Sequence, residues 1–268
     1  MRKGAAMSDS GVRVDANNLT GVAELVLNRP AKLNAVDEAM AAAILDCLAS
    51  PAVTSARAVV VRGEGKGFCA GRDLSGADPG HEDGAAILRT VFNPVMVALG
   101  SLPIPTFAAV HGPALGVGFG LAFACDVVVV ADDAKLGSPF ARIGAVLDSG
   151  GHHSLVTRVG LHRALELIYT GRLLSGLEAA AWGLVNRSVA PDDLLSAVRA
   201  MAGQVAAGPT ASFALSKAIA VAVAGGGMGA AAALEAEAVA QGLASQTADY
   251  REGMKAFQEK RPPAFIGH

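Results

Sequence analysis

Two stretches of this sequence bare their backbone where side chains would ordinarily stand. HGPALGVGFGLAFACD (111 to 126) alternates glycines at Gly116, Gly118 and Gly120 and carries no charged side chain until Asp126. The irregular GPALGVG leads into an apolar segment that reads as a helix start. A helix start presents unpaired N–H groups, and glycine lets a ligand approach backbone that a Cβ would block. The N–H of Val117 or Gly118 is thus a candidate donor to an anion or a developing oxyanion. Close packing of a buried helix explains the same glycines without any ligand. Two nucleotide readings fail on spacing, because the P-loop ending GK[ST] is missing and G-x-G-x-G is not G-x-G-x-x-G.

GKGFCAGRDL (65 to 74) is a second small-residue loop, and it offers the N–H of Ala70. Two preorganised N–H groups from separate loops are what a thioester enolate requires, because its oxygen gains charge in the transition state.

The elements that must position these loops alternate. VAELVLNR (22 to 29) reads as a strand stopped by Pro30, and Asp37 as the N-cap of an alanine-rich helix to about Ala49. ARAVVVRG (56 to 63) suits a strand buried on both faces. A helix is expected over 86 to 101, then strands over 104 to 112 and 126 to 133 on either side of the glycine segment. Repeated β-turn-α units imply a mainly parallel sheet with ligands where loops leave the strands. From Asp192 onward the pattern is helical only. No internal repeat and no low-complexity linker separates the two parts.

The 268 residues are 52% hydrophobic and 17% charged, enough to bury a sizeable core. Lys and Arg number 22 against 24 Asp and Glu, which offers no basic face for nucleic acid and no acidic tail. Cys47, Cys69 and Cys125 lack CxxC spacing, so neither a disulfide framework nor a zinc site is expected, and a reducing cytoplasm fits. Cys69 reads as a small loop residue, with a reactive thiol as the alternative. MRKGAAMSDS has two basic residues without an apolar stretch behind them, unlike a signal peptide. Met7 is a candidate start, which would make residues 1 to 6 an extension. The apolar runs 114 to 125 and 218 to 234 contain glycine clusters and fall short of the ~20 residues that span a bilayer, so both read as buried or turn segments.

GFCAGRDL, VHGPALGVGFGLAFACD with VVVVADDAKLG, RVGLHRALELIYTGRLLSGLEAAAWGLVN and YREGMKAFQEKRPPAF together resemble the crotonase, or enoyl-CoA hydratase/isomerase, superfamily. The resemblance spans about residues 12 to 265. It implies an α/β fold, a crotonase-like ββα spiral core with a C-terminal helical trimerisation region, divided here as 1 to 191 and 192 to 268. It implies an acyl-CoA thioester as partner and a homotrimer or dimer of trimers. No metal and no separate cofactor is implied, coenzyme A being part of the substrate.

Carried over by motif, Ala70 and Val117 supply the oxyanion N–H groups. Ala31, Lys32 and Leu33 fall where the family holds coenzyme A, and Asp73 and Leu74 near the adenine. Phe257 and Lys260 match positions that reach CoA, often that of a neighbouring subunit; an ordinary amphipathic helix with a solvated lysine is the alternative.

The departures from the family bear on the chemistry. Family hydratases carry two glutamates that orient water and supply the α-proton. Aligned by motif, those positions hold Gly120 and Phe140, and neither can move a proton. Asp148, in IGAVLDSGGHHSL, stands where isomerase branches of the family place a carboxylate. Burial beside Phe140 and Leu147 is expected to raise its pKa, which suits a proton shuttle. An Asp before Ser-Gly-Gly is also an ordinary N-cap or turn residue. His152 and His153 read as surface or capping residues, and Arg142 as the partner of an acid or of a CoA phosphate. Migration of an enoyl-CoA double bond is the expected activity. Hydration or another crotonase reaction, such as ring-epoxide isomerisation or dehalogenation, is the alternative, with a non-catalytic acyl-CoA binder as the third.

Overall fold

In a computed structural model the structure describes residues 11–268 apart from Asn18 and Pro79, so the reading of residues 1 to 6 lies outside the described residues. The chain begins with strands β1 (Val12–Asn17) and β2 (Val22–Leu27), helices α1 (Glu38–Ala49) and α2 (Pro51–Thr54), and strand β3 (Ala58–Gly63). Helices α3 (Gly84–Ile87) and α4 (Asn93–Gly100) follow, joined by a π-helical turn over Leu88–Phe92. Then come β4 (Thr106–Val110), β5 (Pro113–Leu115), α5 (Val117–Phe123), β6 (Val127–Ala131) and β7 (Lys135–Gly137). The second half runs α6 (Gly151–Val159), α7 (Leu161–Thr170), β8 (Leu174–Ser175), α8 (Gly176–Ala181) and β9 (Arg187–Val189). Four helices close the chain: α9 (Leu194–Ala206), α10 (Thr210–Ala224), α11 (Ala230–Ala244) and α12 (Ala248–Glu259).

The large sheet has the order β1-β2-β3-β4-β6-β9, antiparallel between β1 and β2 and parallel from β2 onward. The β-branched run of β3 is buried, as a parallel strand covered on both faces requires. Glu24 lies within the fully buried β2, where a lone carboxylate would be costly. It is held by Arg62 at 2.7 Å and by Arg199 of α9 at 2.9 Å, and so α9 is fixed across the sheet. Asp37 caps α1 by accepting from the Met40 N–H at 2.9 Å, as its position in the sequence predicts.

A smaller sheet, β5-β7-β8, stands beside the large one, and it builds the site. Its strands have three residues or fewer, too short to carry a periodicity, and the sequence gives no sign of them. The run 218 to 234 forms the end of α10, a glycine turn and the start of α11. No single helix among the described residues is long and apolar enough to cross a membrane.

Candidate active site

The loop 67–71 runs alongside β5 as an extra strand. Phe68 N–H donates to the His111 carbonyl at 2.8 Å, Cys69 N–H to the Pro113 carbonyl at 2.9 Å, and Leu115 N–H to the Cys69 carbonyl at 3.0 Å. On its other side the loop bonds to residues 33–36. Val36 N–H donates to the Gly71 carbonyl at 2.8 Å and Asp73 N–H to the Val36 carbonyl at 2.9 Å. The two glycine-bearing stretches are therefore clamped against each other. An ideal Cβ on Gly118 would lie 2.2 Å from the Cys69 carbonyl oxygen, so only glycine permits α5 to start this close to the loop.

This hydrogen bonding corrects one expected site residue. Ala70 N–H donates to the Leu33 carbonyl at 2.9 Å, which turns it away from β5 and leaves it no free proton for a substrate oxygen. Gly71, at φ +108, breaks the alternation of the extended chain. Arg72 then pairs with Val36 so that its own N–H points to the opposite side, toward the end of β5 and the start of α5. Arg72 N–H has no acceptor among the described residues. Val117 N–H, at the first position of α5, has none either, as a helix start requires. Arg72 and Val117 each present an unpaired N–H at the loop junction, with that of Gly118, the other candidate donor, next along α5.

Asp148 lies in the turn before α6, within range of the Arg72 guanidinium. It is half-buried, and burial pushes its carboxyl above the ordinary value of 3.8; the Ser149 hydroxyl and the Arg72 guanidinium act in the opposite direction. Ser149 Oγ donates to Asp148 Oδ1 at 2.8 Å. The Arg72 guanidinium pairs with Glu82, Nη1 reaching Oε2 at 3.1 Å. Phe140 is half-buried, and its ring edge comes within 3.1 Å of where a Cβ on Gly116 would stand. It sets an apolar wall beside Gly116.

The residues expected to hold coenzyme A meet in part. Lys32 Nζ lies 2.7 Å from Asp73 Oδ2, with Arg29 Nη2 at 3.0 Å from the same oxygen. The Lys32 ammonium, the hydroxyl and N–H of Ser75, and Arg29 together hold the Asp73 carboxyl well below the usual range. Lys32, Arg29, Arg72, Asp73, Ser75 and Glu82 line a cleft of about 400 Å³. Ala31, Leu33 and Leu74 are exposed beside it without lining it. Phe257 is 83% exposed on α12 and Lys260 is its left-handed C-cap, and neither lines the cleft. A larger apolar cavity, about 630 Å³, opens between α10 and the end of α5, but neither Arg72, Val117 nor Asp148 lines it. Of these three residues only Arg72 lines the smaller cleft; we place the site where that cleft meets the loop junction, with Val117 opening α5 there and Asp148 close enough to feel the Arg72 charge.

The remaining candidates are structural. Burial pushes the Cys69 thiol up to about 12, so it is inert as a nucleophile. His152 and His153 are exposed on α6, and no group of metal-ligating side chains occurs among the described residues. Arg142 is exposed and has no ion-pair partner among the described residues. Sequence reasoning missed Arg72, Arg29 and Ser149. The Gly71-Arg72 step in CAGRDL is the signal for the first, since a glycine there marks a change of peptide direction.

A parallel sheet, a small sheet clamping two facing loops, and a helical C-terminal region define the crotonase class of fold. The chain belongs to the enoyl-CoA hydratase/isomerase family, whose profile it matches over residues 17–268. It is 39% identical over 92% of its length to a Rhodobacter capsulatus protein named "Probable enoyl-CoA hydratase", covering 95% of that relative. It is 34% identical to the 1,2-epoxyphenylacetyl-CoA isomerase of Escherichia coli K12, over 92% of this chain and 95% of the relative. An enoyl-CoA hydratase structure from Mycobacterium smegmatis superimposes with a TM-score of 0.86 at 34% identity, covering 94% of this chain and 98% of that one.

Proposed function

We propose that the protein moves a double bond of an enoyl-CoA, with Asp148 as the single proton shuttle. The observation that carries this reading is the pairing of two losses with one gain. By motif, Gly120 and Phe140 stand where family hydratases hold glutamates, and one half-buried carboxylate with a raised pKa, within range of the Arg72 charge, remains beside the loop that offers the unpaired N–H groups. With a 3-enoyl-CoA, the Asp148 carboxylate takes a proton from C2. The electron pair passes to the thioester oxygen as a dienolate, which accepts hydrogen bonds from the Arg72 and Val117 N–H groups. The same carboxyl returns the proton at C4, and the product is the 2-enoyl-CoA. The upward shift at Asp148 suits a group that must both take and return a proton near neutral pH.

Lys32 and Asp73 hold the nucleotide end of coenzyme A in this reading, and Ala31, Leu33 and Leu74 border it. Phe257 and Lys260 reach the CoA of a neighbouring subunit in a homotrimer. The apolar side chains that α10 and α11 leave exposed, Val221, Leu234 and Val239 among them, support that assembly. Coenzyme A arrives with the substrate and no further cofactor takes part. The three free cysteines favour the cytoplasm as compartment.

A second reading, isomerisation of a ring epoxide, draws on the name of the Escherichia coli relative and on the Phe140 ring beside Gly116. The test is a paired assay of the purified protein with a 3-enoyl-CoA and a 2-enoyl-CoA. Double-bond migration without appreciable water addition is expected. Water addition matching or exceeding migration, or no turnover of either substrate, would overturn the reading.

A further inference from the structure

The turn that carries Asp148 and the helix that begins at Val117 interlock at Gly120. An ideal Cβ on Gly120 would lie 2.5 Å from both the Cβ and the carbonyl oxygen of Ser149, and 3.3 Å from Met96 Cε. Met96 can move aside; a backbone carbonyl can do so only if its turn moves with it. Ser149 is 5% exposed and sits at φ +53, a left-handed conformation that a non-glycine residue keeps only where its surroundings impose it. From that position its Oγ donates to Asp148 Oδ1 at 2.8 Å.

We infer that Ser149 is the positioning residue of the proton-transferring carboxylate, and that Gly120 is the vacancy its turn occupies. The inference rests on Asp148 as the shuttle. A glutamate at position 120 and the Asp148 turn then exclude each other by backbone contact. The site is committed to one carboxylate by its shape as well as by its sequence.

The groups facing Asp148 limit how its titration can be read. α5 and α4 present Gly120 and Met96 to the turn, neither charged. Among the described residues, the Arg72 guanidinium is the charged group that acts on Asp148, and the Ser149 hydroxyl is its hydrogen-bond donor. Both favour the ionised form against burial. Removing the hydroxyl therefore raises the pH at which the base becomes available.

The experiment compares Ser149→Gly, Gly120→Ala, Gly120→Glu and Asp148→Asn as purified full-length proteins with a 3-enoyl-CoA. Glycine adopts a positive φ freely, so Ser149→Gly keeps the turn and its backbone carbonyl while removing the hydroxyl together with the Cβ that carries it. Its acid limb of kcat is expected to rise by about one pH unit, with kcat several-fold lower and KM within about twofold. Gly120→Ala is expected to lower kcat by about 100-fold with little change in KM, because the turn moves while the Lys32 and Asp73 cleft does not. Gly120→Glu is expected to gain no water addition to a 2-enoyl-CoA.

An unmoved acid limb in Ser149→Gly, alongside an inactive Asp148→Asn, would overturn the inference and leave the shuttle in place. Hydration by Gly120→Glu would overturn the exclusion. Full activity in Asp148→Asn would instead remove the shuttle itself.

Discussion

Replacing Gly118 with alanine tests the geometry of the two N–H donors without touching either one. The added Cβ would meet the Cys69 carbonyl oxygen at 2.2 Å, Cys69 Cβ at 2.7 Å and the Cys69 carbonyl carbon at 2.9 Å. Ordinary contact begins near 3.4 Å, so α5 and the loop must part by about 1.2 Å. The loop cannot yield locally, because Cys69 is bonded through both its N–H and its carbonyl to β5. The displacement therefore passes to Arg72 on one side and Val117 on the other. A misplacement of about 1 Å at a reacting centre costs on the order of 10²-fold in rate. Losing one oxyanion donor outright costs about 10² to 10³-fold, or 2.7–4 kcal/mol. Gly118→Ala should accordingly lower kcat/KM by about two to three orders of magnitude, together with an overpacking cost of roughly 1–3 kcal/mol in stability. Steady-state kinetics would be run beside calorimetric binding of a CoA ester and a thermal melt. A folded variant that binds the ester and keeps kcat/KM within threefold of the parent would refute the argument that these N–H groups act as a fixed pair.

Gly203 lies inside α9 with nothing near its Cβ direction, so Gly203→Ala should add about 0.5–1 kcal/mol of stability and leave the kinetics unchanged, as a melt and a rate measurement would record. Lys32→Ala should raise KM for a CoA thioester by about tenfold while a pantetheine thioester, which lacks the nucleotide, is unaffected. Equal changes for both thioesters would place Lys32 away from the nucleotide. The Asp148 carboxyl titrates above its ordinary value in the folded protein, so folding favours its protonated form. No penalty arises where both folded and unfolded chains are protonated, and the penalty grows as pH rises through the folded value. Asp148→Asn should therefore melt higher than the parent at neutral pH, with the difference shrinking below the ordinary carboxylate range. A difference that grows toward acid pH would contradict the shift.

Much of the fold is legible in the sequence because the large sheet follows local rules. The buried run of β3, the Asp37 cap and the helical pattern after Asp192 are each set by residues within a few positions of one another. The two glycine stretches are also legible as candidate donor loops, although close packing explains the same glycines, and Gly118 does pack against the Cys69 carbonyl. The identity of the first donor is a different kind of fact. Whether Ala70 or Arg72 offers its N–H depends on the direction of one peptide after Gly71, and that direction is fixed by pairing with Leu33 and Val36 more than thirty residues away. The contact between Gly120 and Ser149 is equally invisible in sequence, because only the closed fold brings the Asp148 turn against α5. The strands of the small sheet escape notice for the same reason, as their pairing is imposed by the elements around them.

The most direct test of the account is the rate of double-bond migration in a 3-enoyl-CoA by Asp148→Asn, measured beside its affinity for a CoA ester. Asparagine keeps the shape of the side chain and its hydrogen bond to Ser149 but cannot carry the proton. The account predicts a loss of about 10³-fold in kcat with ester binding retained, in line with removal of a general base. Migration at a rate within tenfold of the parent would contradict it and move the proton transfer to another group.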